Sequence, residues 1–283
     1  MIYDDRPCEL GEGPLWHPQR NQLFWFDITG QRMLSVDKGE QRQWRFPEQV
    51  SAAGWVSRDV LLIAGERDLF LFDVETEEVE SVVDLESDNR QTRSNDGRAD
   101  PQGGFWIGTM GKRAEPGVGA IYRFYRGELK RLFGGITIPN AICFSPDGRS
   151  AHFTDTVTKK VMRVGLDSLG WPNTAPQVYL DLTADASGPD GAVIDTEGAM
   201  WLAQWGAGRV SVFAPDGQLL RQVAFAAPHT SCPAFGGPGL KTLFCTSALQ
   251  GMDAAARAKY SNAGKTFTAR EVGRGQAENR VLL

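Results

Sequence analysis

The chain has 283 residues, 41% hydrophobic and 23% charged, enough to bury a sizeable core and compatible with one large domain or two small ones. Thirty basic residues against 35 acidic ones leave a net charge of −5, so there is no cationic footprint for nucleic acid or an anionic membrane. The opening MIYDDRPCEL carries acids and no apolar run, which argues against a signal peptide or a membrane span and makes a cytoplasmic location the expectation. Cys8, Cys143, Cys232 and Cys245 are too far apart for a zinc module or a thiol redox motif and read as buried small hydrophobes. His17, His152 and His229 are too few and too scattered for a multi-histidine zinc site. Any metal must therefore be held mainly by oxygen.

In chain order, short strand-like runs follow one another between Gly, Pro and Asp turns: LFWFDI, LLIAG, LFLFDV, FWIGTM, AIYRFY, AHFTDT, VMRVGL, MWLAQW, VSVFA and LFCTSA. The acidic stretch from Val74 to Asp88 reads as a solvated strand edge that discourages strand addition. The single helix-friendly piece, GMDAAARAKYSNAG at 251–264, has no apolar stripe and reads as an excursion from the sheet pattern.

These runs repeat. Laying DGAVIDTEGAMWLAQW over NDGRADPQGGFWIGT pairs Asp195 with Asp100, Gly198 with Gly103 and Trp201 with Trp106, each 95 residues apart. NAICFSPDGRSAHFTD and EGPLWHPQRNQLFWFD join the same frame, while SAAGWVSRDVLLIAG and SCPAFGGPGLKTLFCT fit it less well. Units of about 40 to 50 residues are the length of four-stranded propeller blades. The expectation is an all-β fold: one six-bladed β-propeller domain over 1–283, with four-stranded blades around a central channel. Closing the ring should involve the terminal segments IYDD and NRVLL.

The repeat register puts Glu12, Ala52, Asn95, Asn140, Asp190 and Ser231 at the opening of the six inner strands. Equivalent positions in a closed ring converge on one channel although they lie far apart in sequence. A turn would explain Asn95 in NDG alone, but not carboxylates and amides at the same position in blades one, three, four and five. Oxygens gathered in a dry channel repel one another or stay unpaired unless a hard divalent cation lies between them.

GEGPLW, RSNDGRADPQGGFWIGTM followed by GAIYRF, IPNAICFSPDGR and GPDGAVIDTEGAMWLAQWGAGRV resemble, in order and over nearly the whole chain, the blade signatures of the regucalcin and gluconolactonase (senescence marker protein) family. The resemblance implies a six-bladed propeller with one divalent metal ion in the channel and an enzyme that opens sugar lactones. It implies Glu12, Asn140 and Asp190 as metal ligands, and Arg93, Asn95 and Glu115 as contacts to substrate oxygens. It also makes Asp190 the catalytic residue, although a carboxylate bound to a cation is a poor base, so Asp190 is either the general base or purely a ligand. Oxygen ligation suits Ca²⁺, Mg²⁺ or Mn²⁺, and a site with three protein ligands also accepts Zn²⁺. No GxSxG elbow is present, in keeping with direct attack by water.

The ending after Gly251 departs from the family pattern with a basic, alanine-rich insertion over 251–275. Trp16, Trp106 and Trp201 are expected between blades, Trp205 at the channel mouth, and the histidines in structural places. The reading is a metal-dependent lactonase acting on a small sugar lactone, without a nucleic-acid or membrane partner and with no indication of oligomeric state. The alternatives are a non-enzymatic calcium-binding propeller, which would need neither Arg93 nor Asn95, and a phosphotriesterase-like hydrolase, which would want an apolar lining.

Overall fold

A computed structural model describes residues 1–283 and contains six four-stranded antiparallel sheets. Blade one runs through Gly11–His17, Gln22–Asp27, Arg32–Asp37 and Glu40–Arg45, and blade two through Ala52–Trp55, Val60–Ala64, Asp68–Asp73 and Val79–Asp84. Blade three follows with Thr92–Ala99, Phe105–Gly111, Gly119–Tyr125 and Glu128–Ile136, and blade four with Pro139–Phe144, Ser150–Asp155, Lys160–Gly165 and Gln177–Asp181. Blade five is Gly188–Ile194, Met200–Trp205, Arg209–Phe213 and Leu219–Ala224. Blade six takes Thr230–Gly236, Thr242–Ser247 and Thr266–Arg270 from the end of the chain and its outer strand, Ile2–Asp4, from the beginning. The inner strand of each blade packs against the inner strands of both neighbours, which closes the ring. The fold is a six-bladed β-propeller.

The repeat seen in the sequence has a local hydrogen-bond cause. Asp195 Oδ1 accepts the backbone N–H groups of Glu197 and Ala199, and its Oδ2 accepts the Trp201 indole N–H at 2.8 Å. Asp100 does the same for Gln102, Gly104 and, at 3.1 Å, Trp106. Between aspartate and tryptophan the chain turns through a left-handed residue, Gly103 in blade three and Gly198 in blade five, and Gly148 and Asn21 take the same conformation at the corresponding turns of blades four and one, which lack the aspartate–tryptophan pair. Glycine and asparagine adopt that conformation at low cost. One carboxylate thus fixes both the turn and the indole of the next strand.

Burial then acts between blades. Six main apolar clusters form, one for each adjacent pair of blades: Phe24, Phe26 and Trp44 meet Phe70 and Phe72 between blades one and two, and Trp16, Leu23 and Trp25 meet Ala234 and Phe244 between blades one and six. A single blade would expose both faces, so each depends on its neighbours. Trp16, Trp106 and Trp201 lie in these clusters, as the sequence predicts. The outer strand Val79–Asp84, from the acidic run, is largely exposed.

The termini divide the work of closure differently from the expectation. Ile2–Asp4 completes blade six by pairing with Thr266–Arg270, as predicted for IYDD. The segment containing NRVLL adds no strand. It crosses the end of the ring opposite Glu12: Gln276 Nε2 donates to Ile194 O, Trp55 Nε1 donates to Glu278 O, and the Val281 and Leu282 N–H groups donate to Trp55 O and Gly103 O. Glu278 also forms an ion pair with Arg98, largely out of solvent. The segment has no hydrogen-bonding edge left to fill, because residues 2–4 already occupy the outer position of blade six. In the insertion, Asp253 caps a short helix, Ala254–Lys259, between the second and third strands of that blade.

Candidate active site

In blades one, three, four, five and six the pairing between the inner and second strands slips by one residue at the positions singled out by the repeat register. The shifts fall between Glu12 and Leu15, Ser94 and Gly97, Asn140 and Cys143, Pro189 and Ala192, and Thr230 and Pro233. Such a bulge bends the strand and re-aims a side chain. Blade two, whose register residue is Ala52, pairs without a shift.

The re-aimed side chains line a cavity of about 360 Å³ at one mouth of the channel. Glu12, Asn140 and Asp190 lie in its wall together with Arg93 and Asn95. Leu10, Met110, Ile138 and Trp205 supply apolar wall, while Lys112, Arg113, Thr156 and Gln250 complete it. Trp205 stacks face to face on His229, with ring centroids 4.3 Å apart. His229 therefore packs behind the wall. Ser231 holds blade six to blade one by donating to Gly11 O, away from the cavity.

Glu115 is not part of the lining. Its Oε2 accepts the Arg113 backbone N–H at 3.1 Å and lies against Gly111, where a Cβ would sit 2.1 Å from that oxygen. The side chain is folded under its own loop, whose outward residues Lys112 and Arg113 face the cavity.

A hydrogen-bonded chain links the polar residues. Arg93 Nη1 donates to Asn95 Oδ1 and to Ser94 O, both at 2.8 Å. Asn95 Nδ2 donates to Pro139 O at 2.9 Å and to Asn140 Oδ1 at 3.1 Å. Asn140 Nδ2 donates to Thr156 Oγ1, whose hydroxyl donates to Pro189 O. The amide orientations follow from these partners: Asn140 turns its oxygen toward Asn95 and its nitrogen toward Thr156.

Asp96, next to the register position, is a buried site neighbour that the sequence reading missed. Its Oδ2 accepts the Ile142 N–H at 2.7 Å, and burial pushes its carboxyl up to about 6. A signal was available: the residues following the register positions are Gly13, Ala53, Ala141, Gly191 and Cys232 in the other blades, and only blade three has an acid there.

Glu12 and Asp190 are both buried and both held well above the usual carboxylate range. Burial is the larger cause in each, followed by the negative charge of Asp96 for Glu12 and of Glu12 for Asp190. Arg93 is the cation among them, lowered by burial to about 10 and still charged at neutral pH. Its charge acts on Glu12, while Asp96 faces a second buried cation, Arg98, and Asp190 has only carboxylates as charged neighbours. The donor set suits a hard divalent cation: two carboxylates that repel each other, and an amide oxygen with a lone pair to spare. No group of three or more His, Cys, Asp or Glu side chains is placed to hold a metal ion, so an ion at this site would need an oxygen of another kind, such as the Asn140 amide, beside the two carboxylates.

A provisionally named sugar lactone lactonase of Rhizobium meliloti is 44% identical over 262 residues, 92% of this chain and 89% of that protein. The L-arabinolactonase of Azospirillum brasilense is 34% identical over 279 residues, 96% of this chain and 91% of the relative. The crystal structure of a calcium-binding protein, regucalcin, from Agrobacterium tumefaciens superposes with a TM-score of 0.98 at 38% identity, covering 100% of this chain and 97% of that one. The pattern described as the SMP-30/gluconolactonase/LRE-like region matches residues 10–249, from the strand that carries Glu12 to the loop that carries Gln250, and the chain belongs to that family.

Proposed function

We propose that this protein hydrolyses a sugar lactone to its aldonic acid, with one divalent ion held by Glu12, Asn140 and Asp190. The observation that carries the reading is the pair of buried, mutually repelling carboxylates beside an oriented amide oxygen, all facing one cavity. The ion would supply Lewis-acid polarisation of the lactone carbonyl.

The protein's own groups do the rest. Arg93 turns nitrogen atoms not used by Ser94 and Asn95 toward the ring hydroxyls and the developing negative charge. Asn95 fixes Arg93 and Asn140 relative to each other, and its oxygen keeps one lone pair for a substrate hydroxyl. Asp190, a weak base beside a cation but sufficient for an activated cyclic ester, takes the proton as the oxygen of water bonds to the carbonyl carbon, and returns it to the ring oxygen as the C–O bond breaks. Trp205, Met110 and Ile138 shield one side of the ring from bulk water. Glu115 serves by holding the loop of Lys112 and Arg113.

The test is acid release from a panel of aldonolactones by chelator-stripped protein, to which Ca²⁺, Mg²⁺, Mn²⁺ or Zn²⁺ is returned singly. At least one ion restores turnover, and Asp190→Ala loses it by roughly a hundredfold or more, the scale of a lost general base. Full turnover in stripped protein would overturn the ion's role. A second reading, a propeller that binds calcium without catalysis, draws on the regucalcin likeness; it is favoured if the folded, ion-loaded protein opens no lactone.

A further inference from the structure

The charges around the cavity do not balance once the site is loaded. Its charged lining is Glu12 and Asp190 on one side and Arg93, Lys112 and Arg113 on the other. Lys112 pairs with Glu66. A dication would neutralise Glu12 and Asp190, and the buried Asp96 beside them is offset by Arg98, which leaves Arg93 and Arg113 as cations over the cavity of a protein whose net charge is −5. Their depths differ. Arg93 is buried among the proposed ligands, whereas Arg113 is exposed and its guanidinium has no hydrogen bond or ion pair; only its backbone N–H is used, by Glu115. The loop is built to hold it there, because Glu115 occupies the space that Gly111 leaves free.

An ester carbonyl and sugar hydroxyls account for Arg93 but not for a second, unpaired guanidinium at the exposed rim, where a substrate with its ester at the buried ligands would present its remote end. Guanidinium forms its strongest pairs with carboxylate, sulfonate-like and phosphate oxygens. Resting on the lactonase reading, we infer that the site selects lactones bearing an anionic group at that remote end, with Arg113 as the specificity-determining residue.

The test compares kcat/KM for gluconolactone with its counterparts carrying a phosphate or a carboxylate on the terminal carbon, each corrected for spontaneous opening, in ion-loaded wild type, Arg113→Ala and Arg113→Lys. Wild type should prefer at least one anionic lactone. Arg113→Ala should cut that anionic-to-neutral ratio about fivefold, the scale of an exposed ion pair, mainly through KM. Arg113→Lys should recover part of it, and added salt should shrink the wild-type ratio because it screens the rim. The phosphate and carboxylate arms separate the two sources of charge. Equal kcat/KM for neutral and anionic lactones, or a ratio unmoved in Arg113→Ala, would overturn the inference while leaving the lactonase intact; failure to open any of them would remove both.

Discussion

At the cavity, Glu12, Asp190 and Arg93 act through what burial does to their charge. The unpaired imidazole of His152 shows the same principle away from the site. It lies against Tyr179, its Nδ1 has no partner, and burial, with Arg163 adding to it, lowers its pKa to about 3. The folded protein thus keeps His152 neutral where the unfolded chain, near 6.5, takes up a proton. Its contribution is present above pH 6.5 and is lost as the pH falls toward 3, by about 1.4 kcal/mol for each pH unit. Chemical unfolding of wild type and His152→Gln between pH 7 and pH 4 should show the steeper loss in wild type; parallel curves would mean the imidazole is protonated in the fold.

Within a blade, the aspartate that closes the turn and holds the indole is the unit from which the repeat is made, and its two best copies differ in one instructive respect. Asp195 carries only backbone and indole N–H groups, whereas Asp100 also receives Arg123 Nε at 2.6 Å in an ion pair with both side chains fully buried. Asp195→Ala leaves N–H groups unpaired and should cost about 2–3 kcal/mol. Asp100→Ala in addition strands a buried guanidinium and should cost about 3–5 kcal/mol, despite the stacking of Arg123 on Trp171. Urea unfolding of the two variants decides this, and a smaller loss for Asp100→Ala would mean that the aromatic contacts alone hold the charge. The turn was legible in the sequence because its partners lie within seven residues of one another. Asp96 was not read, because its partner, Ile142, comes from the next blade.

The ring as a whole is fastened where its two ends meet. Ile2–Asp4 joins the sheet at Thr266–Arg270, Tyr3 packs edge-on against Phe244, and Asp4 holds Arg6, which donates to Ser35 O and Arg42 O in blade one. Removing residues 1–5 takes away these strand hydrogen bonds and leaves Thr266–Arg270 as an open edge. A loss of about 3 kcal/mol follows from a few net hydrogen bonds and one aromatic contact, which for a chain of this size lowers Tm by roughly 5 °C. Calorimetry of the truncated protein tests this, and an unchanged Tm would show that inter-blade packing alone keeps the ring shut. The same truncation should raise the tendency to associate through the bared edge.

Taken by itself, the sequence determined the strand pattern, the six-unit repeat and the register of the inner strands, because alternation, turn chemistry and the aspartate-to-tryptophan link are all local. It also brought Glu12, Asn140 and Asp190 to equivalent positions, since a regular ring turns equal register into convergence. Tertiary structure alone decided the rest: which neighbour of a register residue enters the channel, which depends on bulges formed against the second strand; that Glu115 tucks under its loop while Lys112 and Arg113 face the cavity; and that NRVLL crosses the far mouth instead of adding a strand. These outcomes rest on contacts between segments distant in the chain, which no local pattern of residues encodes.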